Sequence, residues 1–254
     1  MRKLFYPTVL LAAAWLGFAP AAAAQTDFEW TGQLAPGQRI DIRDVNGSIH
    51  ASAARDGNIV VTAVKKAGRR GSPGDVRIET MANAGGITVC VLYSGAGNCA
   101  DGGSRNNNDR NDTSVEFTVQ VPAGIGLSAH TVNGSVDANG LMSDTDAATV
   151  NGTVTIATSG TARANTVNGD IKAAMGQAPR GGKFSTVNGG ITLQLPASTN
   201  ANVRVSTVSG DIRSDFPLQM SNDPGPKNAS GTIGAGGQEL AVSTVNGSVT
   251  LARR

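Results

Sequence analysis

The tetrapeptide Thr-Val-Asn-Gly returns verbatim at Thr131, Thr149, Thr166, Thr186 and Thr244, and in close variants at Asp44 (DVNG) and Thr207 (TVSG). The paired turn positions are Asn46-Gly47, Asn133-Gly134, Asn151-Gly152, Asn168-Gly169, Asn188-Gly189, Ser209-Gly210 and Asn246-Gly247. From Asn133 to Ser209 the steps are 18, 17, 20 and 21 residues. A near-constant period of this size is the signature of a stacked repeat array. The last step, 37, divides into 21 and 16 if "ASGTI" at Ser230 is counted as a weak copy. "RDGNIV" at Asp56 and "AGGITV" at Gly85 are fainter echoes that extend the array, with degenerate turns, into the first half of the chain.

Each turn is flanked by alternating residues. "VRVSTV" sets Val203, Val205 and Thr207 on one face and Arg204 and Ser206 on the other, while Ile191, Leu193 and Leu195 alternate after the turn. Alternation with period two is a half-buried strand pattern. Asn-Gly between two such strands predicts a tight turn whose central positions take positive φ, with glycine supplying the conformation that other residues resist. Two all-β architectures fit. In a β-solenoid of about 17–21-residue repeats, each period is one coil that buries its neighbour. In an antiparallel meander or β-sandwich, each TVNG closes a hairpin. The small Ala, Thr and Val residues at inward positions suit the narrow coil and favour the solenoid. Aromatic residues are only 4% of the chain, too few to anchor a helical globule, and no window beyond the N-terminus shows helical spacing.

Arg2 and Lys3, an apolar run from Leu4 to Phe18, and the small-residue tract "APAAAAQ" form a secretory signal pattern with cleavage expected after Ala24. Residues 1–24 are therefore read as a signal peptide and 25–254 as one β-repeat domain, with degenerate repeats over 25–125 and regular ones over 126–254. Loss of Arg2 and Lys3 leaves 19 basic and 19 acidic residues, a balance with no bulk footprint for nucleic acid. The run "KKAGRR" from Lys65 to Arg70 reads as a solvated loop between strands. Export places Cys90 and Cys99 in an oxidising compartment, where a disulfide is expected. No transmembrane span is expected after cleavage.

No catalytic or metal-binding set emerges, and no cofactor is implied. Asp170 and Asp211 share the slot just after the turn glycine, where Ser48, Ser135, Thr153, Gly190 and Ser248 stand in other copies. Carboxylates aligned on a β-helix face are the one enzymatic reading, that of a carbohydrate-active enzyme, but so mixed a slot suggests an exposed position with no shared role. His50 and His130 read as solvent-facing strand residues. The tract Asp101–Ser114 is rich in oxygen-bearing side chains yet lacks the ligand spacing of a calcium loop.

The repeated TVNG, the segment "VEFTVQVPAGIGLSAHTVNG" (Val115 to Gly134), the Cys90 and Cys99 pair and the ending "GTIGAGGQELAVSTVNGSVTLARR" resemble a bacterial adhesin-like domain family of unknown function with β-strand repeats. The resemblance implies an exported β-repeat protein with no catalytic residues to carry over. It points to a periplasmic, cell-surface or secreted module, adhesive or structural, whose partner is an envelope polysaccharide, a protein or another copy of itself.

Overall fold

The computed structural model describes residues 27–93, 98–101, 111–176, 180–221 and 225–254. The signal segment 1–24, most of the Asp101–Ser114 tract and residues 177–179 of the Gly176–Gly182 loop lie outside them. The chain enters through β1 (Phe28–Gly32), β2 (Arg39–Arg43), β3 (Ile49–Ala53) and β4 (Ile59–Lys66), then β5 (Val76–Asn83), β6 (Gly86–Tyr93) and β7 (Ser114–Val121). A regular alternation follows: β8 (Gly126–His130), β9 (Val136–Leu141), β10 (Thr145–Ala148), β11 (Val154–Thr158), β12 (Ala162–Asn165), β13 (Ile171–Met175), β14 (Gly182–Asn188) and β15 (Ile191–Leu195). The chain ends with β16 (Ala201–Ser209), β17 (Ile212–Ser214), β18 (Gln219–Met220), β19 (Lys227–Ile233), β20 (Glu239–Asn246) and β21 (Val249–Arg253).

These strands form a two-sheeted β-solenoid. A ten-stranded sheet runs β1-β4-β7-β3-β9-β11-β13-β15-β21-β17, and an eleven-stranded sheet runs β18-β19-β16-β20-β14-β12-β10-β8-β2-β6-β5. Each coil puts one strand in the eleven-stranded sheet, crosses the corner at Asn-Gly, and puts the next in the ten-stranded sheet. The corner therefore joins two facing sheets and closes no hairpin. Both apolar sets still point inward, because the sheets present opposite faces to one interior. Ile49, Val136, Val154, Ile171, Ile191 and Val249 stack in register on adjacent strands, all fully buried. Each such side chain contributes roughly 1.5–3 kcal/mol through burial. The small residues Ala129, Ala147, Ala162 and Ala164 line the opposing sheet, as a narrow interior requires.

The stacking order departs from sequence order at both ends. Coil β2–β3 sits between β6–β7 and β8–β9, and the last coil, β20–β21, sits between β14–β15 and β16–β17. Ser230 is not in a coil: β19 runs antiparallel to β16, so the 37-residue step is an excursion along the edge followed by a return into the stack. "RDGNIV" leads into β4, which pairs antiparallel with β7 in the same sheet. "AGGITV" closes the β5–β6 hairpin and opens β6, which pairs parallel with β2. The antiparallel strands β1 and β4 at one end, and β5 and β19 at the flanks of the other sheet, cover parallel edges that would otherwise invite pairing between molecules.

The Thr, Asn and Gly positions of TVNG each have a stacking role. The Thr hydroxyl is buried and donates to the turn-glycine carbonyl of the neighbouring coil, at 2.8–3.0 Å from Thr131, Thr149, Thr166, Thr186, Thr207 and Thr244. The Val faces outward and is partly exposed. The Asn side chains form an amide ladder, with Asn133, Asn151, Asn168, Asn188 and Asn246 each donating Nδ2–H to Oδ1 of the coil before, at 2.8–2.9 Å. Ser209 ends the ladder beside Asn246. The glycines are required mainly by space. A Cβ on Gly134, Gly152, Gly169, Gly189, Gly210 or Gly247 would fall 1.9–2.1 Å from the carbonyl oxygen of the next glycine in the column. The expected positive φ holds clearly only at Gly47 (138°). Gly134, Gly189 and Gly210 lie at 156–158°, close to extended, and Gly152, Gly169 and Gly247 are outside the left-handed region.

Candidate functional site

Asp170 and Asp211 are not brought together. Between their strands lie those of Gly190 and Ser248, three strand spacings or roughly 14 Å, beyond the roughly 5–10 Å that separates glycosidase carboxylates. Asp170 Oδ1 accepts from the Gly190 N–H at 2.8 Å. Asp211 is paired with Lys227 at 2.6 Å, and that hydrogen bond and charge hold its carboxyl below the usual range. Four of the seven residues in the slot, Ser48, Ser135, Asp170 and Ser248, share a role. Ser48, Ser135 and Ser248 likewise accept from the next coil's backbone N–H, at 3.1–3.4 Å. An acceptor oxygen is what the mixture of Ser and Asp has in common.

Cys90 and Cys99 are joined, with Cα atoms 5.8 Å apart, on the outer side of β6 against Leu92 and Met81. The bridge anchors the start of the long insertion between β6 and β7, at the corner where other coils carry Asn-Gly. His50 is half exposed and 3.2 Å from Asp137. The His130 ring lies 2.8 Å from Ser128 Oγ. In the KKAGRR segment, Lys65 Nζ is occupied by the Val76 carbonyl at 2.6 Å, and Arg69 and Arg70 are exposed.

The chemistry that sequence reading missed is on the outer face of the eleven-stranded sheet. The residue five before each turn Asn points outward there. In stacking order this row reads Asp41, Ser128, Asp146, Arg163, Lys183, Ala241 and Arg204. One half of the row holds the acids and the other half the cations. Around the acidic half, Arg43 is bound to Asp41 at 2.7 Å, and Arg39 lines the same cavity as Asp41 and Asp146. In the basic half a cavity of about 600 Å³ is lined by Lys183, Arg204, Ser206, Met220, Ser230 and Ser243, with no carboxylate among the described residues. It shares Lys183 and Ala241 with a second cavity of about 540 Å³ that adds Arg163, Arg180 and one acid, Glu239. Glu239 is 3.7 Å from Arg204, and both side chains are well over half exposed. The signal was available: once the repeat register is fixed, position minus five of each copy can be read down the column. A net charge near zero hid it, because the opposite signs are segregated within one row.

No curated protein matches the chain. Its fold is similar to that of a candidate cell adhesion protein from Clostridium sporogenes ATCC 15579, at 11% identity and a TM-score of 0.37, covering 91% of this chain and 100% of the other. A candidate adhesin from Bacteroides fragilis NCTC 9343 is similar at 10% identity and a TM-score of 0.34, covering 90% of this chain and 98% of the other. The family model that describes the β-repeat array, Toastrack DUF4097, matches residues 38–252, from the first coil to the last, and the chain belongs to that family.

Proposed function

We propose that the protein is exported, cleaved after Ala24, and serves as a non-enzymatic, adhesin-like binding module of the cell envelope, using the outer face of its eleven-stranded sheet. The observation that carries this reading is a contrast between slots. The corner positions are committed to stacking, whereas position minus five makes none of the corner contacts and gathers Arg163, Lys183 and Arg204 along two adjoining cavities, with Lys183 outside any ion pair among the described residues. A rigid scaffold presenting such a face suits recognition. The basic N-terminus, the apolar run and the disulfide support export.

Mass measurement of the protein recovered from its native compartment should give a chain starting at Gln25, two mass units lighter than the reduced form. A species retaining Met1, or free thiols without reductant, would refute export and oxidation. For the activity itself, purified mature protein should bind isolated envelope fractions, and Asp170→Asn with Asp211→Asn should bind equally well. Glycan cleavage that disappears with those two substitutions would establish an enzyme in place of a binding module.

A further inference from the structure

We infer that the basic half of this face binds a carboxylate-bearing linear polysaccharide laid along the solenoid axis, seated on Lys183 and Arg204 with Arg163 as the next contact. The inference rests on the binding-module reading and names its ligand class. Strand spacing sets the pitch of the site. Arg163 and Lys183 are on adjacent strands, about 4.8 Å apart. Lys183 and Arg204 are separated by one strand, whose facing residue is Ala241, so the two cations stand roughly 10 Å apart over a small side chain. That leaves a seat between them, and the step from strand to strand is close to the advance of one sugar in an extended chain. A polymer with acidic groups at regular intervals can therefore meet the row repeatedly.

The arrangement is one the fold does not need. Like charges directly opposite on neighbouring strands destabilise a sheet, yet Arg163 and Lys183 are such a pair. Asp146 flanks Arg163 on its far side, but Lys183 has no carboxylate within ion-pair distance among the described residues. The Arg204–Glu239 contact is long and exposed, the kind of pair that contributes little, so a ligand carboxylate can replace Glu239 with bidentate geometry on the guanidinium. Ser206, Ser230, Ser243 and Asn228 supply hydroxyl and amide groups for sugar hydroxyls around the same cavity. None of the described residues lining the two cavities is aromatic, so they offer no platform on which single-stranded nucleic acid stacks.

The test is calorimetric titration of the mature protein with oligogalacturonate, with the same oligomer methyl-esterified, with single-stranded DNA and with anionic phospholipid vesicles. Binding to the acid form that weakens with ionic strength, and no binding to the ester, is the expected result. Lys183→Glu and Arg204→Glu should each weaken it about ten-fold or more, since each removes a charge-assisted contact and sets a carboxylate against the ligand's own. Lys172→Glu, the same charge change on the outer face of the other sheet, should leave it unchanged, and thermal melts should show all three variants folded. Equal binding of the ester, equal loss with Lys172→Glu, or tighter binding to DNA or vesicles would overturn the assignment. Envelope fractions captured without any affinity for oligogalacturonate would overturn the ligand class alone. Absence of envelope binding as well would take the binding-module reading with it.

Discussion

Gly169→Val is expected to destabilise the protein by about 3 kcal/mol or more, through overpacking that the stack cannot absorb. The added Cβ would lie 1.9 Å from the Gly152 carbonyl oxygen. That atom also accepts the Thr166 hydroxyl, so relief by moving it breaks a buried hydrogen bond. Moving the coils apart stretches the amide ladder from Asn151 to Asn168. Alanine should be almost as harmful as valine, because the collision is with the first side-chain carbon. Gly190 is the contrast. A Cβ there meets the Ser248 carbonyl oxygen at 3.3 Å and Asp170 Oδ1 at 3.8 Å, and the slot holds serine in three other copies, so Gly190→Ser should change stability by less than about 1 kcal/mol. Urea unfolding of the three variants decides it. If Gly169→Ala were as stable as the parent, close approach would not be what selects glycine.

This pair of neighbouring glycines shows what was legible in the sequence. Repetition at a near-constant step, with alternation on both sides, narrowed the fold to a solenoid or a meander, and the small inward residues favoured the solenoid, because a strand's inward face and a coil's period both leave marks at fixed intervals. The physical cause of the glycine was not legible. Gly152 and Gly189 are identical in local sequence context to a hairpin glycine, and only the position of the next coil reveals the carbonyl against which each is packed. Stacking order was hidden for a related reason. Parallel pairing carries no constraint from chain connectivity, so nothing local distinguishes β20 inserted between β14 and β16 from β20 added at the end. The site was half legible. Arg163 and Arg204 could be placed outward from alternation, but their sharing a row with Lys183 depends on the register that stacking imposes.

The one copy that writes Asp for Thr explains itself through protonation. Asp44 occupies the buried hydroxyl position of the first repeat and is 4% exposed. Its Oδ1 accepts the Val45 N–H at 2.7 Å and the Tyr93 hydroxyl at 3.3 Å, but its Oδ2 is buried without a hydrogen-bond partner among the described residues. Burial raises its pKa from 3.8 to about 8, against the opposing pull of those hydrogen bonds. At neutral pH the carboxyl is therefore mostly protonated and, like the repeat's threonines, uncharged in its buried position. The cost falls on folding. A carboxyl whose pKa is higher folded than unfolded contributes most favourably below the unfolded value, and that contribution is lost as pH rises toward the folded value. The loss should begin near pH 4, reach on the order of 4 kcal/mol at pH 7, and level off above about pH 8. Asp44→Asn removes the titration while keeping the shape and the Oδ1 acceptor. The variant should match the parent near pH 4 and exceed it increasingly up to pH 8, with a melting temperature at pH 7 higher by roughly 5–15 °C. Denaturant unfolding of both proteins across that range measures the gap directly. A gap that stays constant with pH would mean that Asp44 is ionised in the folded stack, and that the buried position does not require a neutral side chain.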